Sequence, residues 1–148
     1  MNDVQRLRKA LSAEHAAVYA YGLIGARTTG SLRTRATAAF DAHRARRDQL
    51  RGLITARRGT PAEPEASYAL PVTPRNPTEA VRLAVHVEQA ITATYLELAA
   101  CDDGALRRYA ALAMQEAAAR CYGFRPSVTA FPGMPAAPSP TPSPSPSG

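Results

Sequence analysis

A helical apolar pattern that runs straight through a carboxylate constrains this chain more than any other feature. In Lys9 to Gly25, KALSAEHAAVYAYGLIG, and the turns before it, steps of three and four residues join Val4, Leu7, Leu11, Glu14, Val18, Tyr21 and Gly25 into one seam on one helix face. Glu14 sits in the middle of that seam. A charge in a core stripe costs several kcal/mol, a large share of a small domain's stability, unless a cation, a metal or a hydrogen-bond set answers it. The rest of the chain therefore has to supply an answer to Glu14.

Three further helices are expected. Asn2 or Asp3 caps the first, which runs to about Arg27 before Thr28-Thr29-Gly30 breaks it. Ser31 caps a second, with the seam Leu32, Ala36, Phe40, His43, Arg47, Leu50 and Ile54 and a stop at Arg57-Arg58-Gly59, the glycine being the stop signal. So short a connection makes two long helices antiparallel neighbours. From Gly59 to Pro77 five prolines and no helical period mark a connector, pinned to the bundle by Tyr68, Ala69 and Leu70. Stretched at ~3.3 Å per residue it spans about 60 Å, more than the ~40 Å length of the helices, so it can cross the whole bundle.

Asn76-Pro77-Thr78-Glu79 reads as a capping box with proline at the first helical position. The third seam is Val81, Ala84, Glu88, Ile91, Tyr95 and Leu98, again apolar on both sides of a carboxylate. Asp102-Asp103-Gly104 turns the chain and caps a fourth helix with the seam Leu106, Tyr109, Ala113, Glu116 and Arg120, although the alanine-rich stretch Ala110 to Ala119 lets this helix roll. A bundle domain is thus expected over 1–131, followed over 132–148 by a Pro/Ser-rich tail with almost nothing to bury, which is expected to be disordered.

With 45% hydrophobic residues in 148, one domain with a core is affordable. No segment approaches the roughly 20 apolar residues of a membrane span, and a cytoplasmic protein with no membrane association is expected. The formal charge of +6 is concentrated between Arg27 and Arg58, where nine arginines face only Asp41 and Asp48. Lys9 is the only lysine. That bias and the alanine excess match GC-rich coding, so nucleic-acid binding is not expected. Cys101 and Cys121 fall at opposite ends of the fourth helix, roughly 30 Å apart, too far to bridge. Phosphate-binding glycine motifs and the G-x-S-x-G elbow are absent, and no catalytic residue is nominated.

The four seams bring Glu14, His43, Glu88 and Glu116 inward at mid-helix. Three carboxylates and a histidine inside a four-helix bundle are the chemistry of a carboxylate-bridged iron or manganese pair. Here the chain resembles the ferritin-like superfamily, an all-α up-down bundle of two antiparallel hairpins with one long crossover. AEHAAVYAYGLIGAR, AFDAHRARRDQL and the ASYALPV connector resemble a bacterial ferritin-like family of unknown function, the DUF4439 type. The superfamily's diiron proteins also carry E-x-x-H on helices two and four, which implies ligands where this chain has Phe40 and Ala119. The expected metal set, Glu14, His43, Glu88 and Glu116, is degenerate.

Arginine offers another answer to the buried carboxylates. Arg47 lies one turn from His43 and Arg120 one turn from Glu116, so both are candidates for internal ion pairs. The expectation is a metal-free ferritin-like scaffold or interaction module, self-associating as a homodimer through helices one and two. The alternative is an iron- or manganese-binding redox or ferroxidase-like protein. His15 and His86 are read as surface or interface histidines, and Tyr19, Tyr21 and Tyr95 as packing residues.

Overall fold

The computed structural model describes residues 1–126. Four helices carry it, α1 (Asp3–Ala26), α2 (Gly30–Ala56), α3 (Pro77–Leu98) and α4 (Gly104–Phe124), and there is no strand among the described residues. The expected tail over 132–148, and its boundary with the bundle, lie outside the described residues. No described helix is long and apolar enough to cross a membrane.

Local chemistry explains the helix ends. Asn2 caps α1 by accepting from the Gln5 amide, and Gln5 returns a side-chain acceptor to the Asn2 amide, both at 2.8 Å. For α2 the expected Ser31 cap is displaced: the helix starts at Gly30, whose φ of +58° suits glycine, and Thr29 precedes it without a side-chain cap bond. At its far end the left-handed residue is Arg58, at φ 59°, not Gly59. Gly59 is required for a different reason, because a Cβ there would lie 2.7 Å from Val4 Cγ1.

Asn76 caps α3 by accepting from the Glu79 amide at 2.9 Å, with Pro77 leading the helix. The capping box stays open, since Glu79 turns instead to the Arg75 amide and guanidinium. Asp103 caps α4 by accepting from the Ala105 and Leu106 amides.

α1 packs against α2 and α3, and α3 against α4. Arg33, early in α2, donates to the Gly25 carbonyl near the end of α1, and the Gly59 turn after α2 meets Val4 at the start of α1. Between them lies a core of Leu7, Leu11, Ile24, Leu50, Ile54, Leu83, Ile91 and Leu98, all 0–1% exposed. Each such side chain contributes roughly 2 kcal/mol by leaving water. Ile24, not Gly25, completes the α1 seam, because the apolar stripe is wider than a single row.

The connector runs along the packed helices in extended alternation. Tyr68, Leu70, Val72 and Pro74 are wholly or partly buried, and Ala69, expected to help pin it, points outward. Tyr68 packs at 5.5 Å on Tyr19. Arg8 donates to the Thr60 carbonyl, and His15 Nε2–H donates to the Ala62 carbonyl at 3.0 Å. His15, expected at the surface, is therefore 6% exposed beneath the connector, while His86 is exposed as expected.

Candidate functional site

Six polar or charged side chains are buried among the described residues, and three of them, Glu14, His43 and Glu88, meet at the centre with no exposure. The reason is helical phase: each lies on the apolar stripe of its own helix, at a similar depth. His43 Nδ1 is 2.6 Å from Glu14 Oε2, and His43 Nε2 is 2.9 Å from Glu88 Oε1. Carboxylates only accept, so both ring nitrogens donate and His43 is an imidazolium. Burial pulls its pKa down, but the bonds to Glu14 and Glu88 and their charges win, and the value rises to about 9.

Two tyrosines and an arginine complete the set. Tyr95 Oη donates to Glu14 Oε1 at 2.7 Å, and Tyr21 Oη donates to Glu88 Oε1 at 2.6 Å. Arg120 Nε donates to the same Glu88 oxygen at 3.0 Å. Burial and the neighbouring carboxylates push both phenols well above their ordinary range, so they stay protonated donors. For Glu88, burial raises the pKa, but His43 and Arg120 outweigh it and hold the carboxyl below its ordinary value. Two carboxylates thus face one imidazolium and one guanidinium, and the formal charges cancel. Glu88 Oε2 is buried without a hydrogen-bond partner among the described residues.

Glu116 and Arg47 lie elsewhere. The buried row of α4 is Leu106, Ala110, Ala113 and Ala117, one step from the expected seam, so Glu116 turns outward with its side chain 50% exposed. There it accepts from Arg46 at 2.8 Å, and Arg46 also lies 4.8 Å above the Tyr109 ring. Alanines on several faces of α4 left the rotation to be chosen by what the neighbouring helices offered. Arg47, expected to answer a buried carboxylate, pairs with its sequence neighbour Asp48 at the surface. Arg120 is the expected arginine that does reach the interior.

Tyr21 and Tyr95 were the residues whose role the sequence undersold. Each stands seven residues after the glutamate of its own helix, Glu14 and Glu88, and each bonds the glutamate of the other. That repeated E-x6-Y spacing was the available signal. Among the described residues, no group of three or more His, Cys, Asp or Glu side chains is arranged to hold a metal ion. Cys101 and Cys121 are both unbridged. Of the arginines in the Arg27 to Arg58 strip, Arg44, Arg46, Arg47, Arg51 and Arg57 each face a carboxylate.

A family model described as a domain of unknown function (DUF4439) matches residues 6–136. The chain belongs to this DUF4439 family. It is also similar to the crystal structure of a conserved hypothetical protein, rv2844, from Mycobacterium tuberculosis, with a TM-score of 0.80 and 28% identity over 84% of this chain and 95% of that one. Among proteins with curated descriptions, none matches. The family match spans all four helices, and with them every member of the buried network.

The self-association face expected on α1 and α2 is partly used within the chain. Tyr19 is taken by Tyr68, and the large exposed apolar side chains of the described helices, Leu96, Leu112 and Tyr122, belong to α3 and α4.

Proposed function

We propose that this DUF4439 chain is a metal-free helical scaffold or interaction module, a ferritin-like up-down bundle with one long crossover in which internal ion pairs replace a diiron site. The observation that carries this reading is His43, whose two ring nitrogens both donate to carboxylates. An imidazolium has no lone pair to give a metal, and it supplies in place the positive charge the carboxylates need.

The residues present do not fit a dinuclear centre. Phe40 and Ala119 stand at two of the ligand positions the ferritin-like resemblance implies, Arg120 occupies Glu88, and Glu116 is half exposed and held by Arg46. The bundle reading is supported by the end-to-start contacts of α1 with α2 and by a connector that runs along the bundle from α2 to α3.

Elemental mass spectrometry of protein purified without chelator, with an anaerobic iron(II) titration of the metal-stripped form, tests the proposal. The expected result is no stoichiometric iron or manganese and no saturable uptake. Near-stoichiometric metal, lost in Glu14→Ala, overturns it.

One observation favours a second reading, an iron- or manganese-binding redox protein: Glu88 Oε2 is a buried acceptor with no donor among the described residues. Saturable iron(II) binding that raises the unfolding temperature and vanishes in Glu88→Gln supports this alternative.

A further inference from the structure

Beside the buried network, on the outer side of Arg120, a cleft of about 380 Å³ opens between α2 and α4, walled by Arg35, Ala38, Ala39, Ala42, Ala119 and Arg120. Its size falls within the range of about 300–1,000 Å³ usual for small-molecule sites. The lining is four methyl groups and two guanidinium groups, with no acidic residue among them.

Both arginines have donors to spare. Arg120 uses only Nε, on Glu88, and its terminal nitrogens have no acceptor among the described residues. Arg35 has no hydrogen-bond or ion-pair partner among the described residues, and it lies across α4 where a Cβ on Gly123 would come within 2.7 Å of Nη1. Glycine at 123 is thus what allows that guanidinium to rest over the helix. The neighbouring Glu116, one turn along α4, is engaged by Arg46, so it does not offset the Arg35 charge in the cleft.

We propose that this cleft binds a small organic anion, its acidic head held by Arg35 and Arg120 and its apolar body lying on the alanine floor. Guanidinium groups match a carboxylate or phosphate head in a bidentate, charge-assisted way, and the methyl floor selects for a ligand with carbon attached. Binding draws on the same Arg120 that holds Glu88, so the bound head is one residue away from the buried network.

Titration of the full chain with sodium hexanoate, followed by NMR at the methyls of Ala38, Ala42 and Ala119 and at Arg120 Nε–H, tests the site. Saturable shifts are expected at these positions, with sodium acetate and hexan-1-ol each binding at least about tenfold more weakly, the scale of one lost charge-assisted or apolar contact set. Arg35→Gln, which alters a side chain with no partner among the described residues, is expected to weaken hexanoate about tenfold, and Gly123→Ala, which displaces Arg35, to weaken it in the same direction. The proposal is overturned by the absence of a saturable hexanoate shift, by unchanged binding in Arg35→Gln, or by acetate or hexan-1-ol binding as tightly as hexanoate.

Discussion

Tyr95 on α3 donates to Glu14 on α1 at 2.7 Å, and Tyr21 on α1 returns the bond to Glu88 on α3 at 2.6 Å, so the two helices exchange tyrosine-to-glutamate bonds around His43. The two glutamates are not used alike: Glu14 takes Tyr95 and His43 on separate oxygens, whereas Tyr21, His43 and Arg120 all converge on Glu88 Oε1. A network of this kind is stabilising only when complete, because a buried acceptor stripped of its donor carries the full desolvation cost.

The two tyrosines are therefore expected to differ when truncated. Glu14 Oε1 has Tyr95 as its partner, whereas Glu88 Oε1 keeps His43 and Arg120 after Tyr21 is lost. Tyr95→Phe should cost about 2 kcal/mol and Tyr21→Phe clearly less, read by urea unfolding at neutral pH. Equal losses would contradict this division of labour.

The two arginine candidates separate just as sharply. Arg120 reaches a carboxylate with no exposure, and removing one partner of such a pair costs about 3 kcal/mol or more. Arg47 pairs with Asp48, whose side chain is 65% exposed, and Arg47→Ala should cost less than about 1 kcal/mol. Denaturation midpoints of Arg120→Ala and Arg47→Ala provide the comparison.

Stability should also depend on pH in a stated direction. The folded pKa of His43, about 9, lies above its ordinary 6.5, so its contribution is complete below about 6.5 and fades as pH climbs through 9. The loss is on the order of 3 kcal/mol. On the acid side, Glu88 is lowered in the folded state, and its contribution is present above its ordinary 4.5 and lost as pH falls through the folded value. Chemical unfolding from pH 4 to 10 should show a plateau between about pH 4.5 and 6.5, and His43→Gln should remove the slope that sets in above 6.5, leaving the steeper loss near pH 9 to 10 that the raised Cys121 thiol and the buried tyrosines contribute.

At the turn after α2, a single methyl group is expected to matter. Gly59→Ala brings a Cβ to 2.7 Å from Val4 Cγ1 and 3.0 Å from Ile54 Cγ2, and the crowding should cost about 1 to 2 kcal/mol. Thermal unfolding of the variant measures it, and an unchanged midpoint would show that Val4 yields freely.

Period and punctuation alone made four helices, a long connector and a buried level at Glu14, His43 and Glu88 legible, because a helix repeats every 3.6 residues and Asn2, Asn76 and Asp103 announce its starts. Those properties are local. The rotation of α4 was not, since alanines on several faces give no single row preference and only contact with the other helices turned Glu116 out and Ala117 in. Tertiary structure likewise decided between two arginines of equal promise, sending Arg120 to Glu88 and leaving Arg47 with Asp48. It also buried His15 by laying the connector over it. An amphipathic period tells which residues want to leave water; which partner a charged side chain meets there depends on the distance between helices that the chain brings together only on folding.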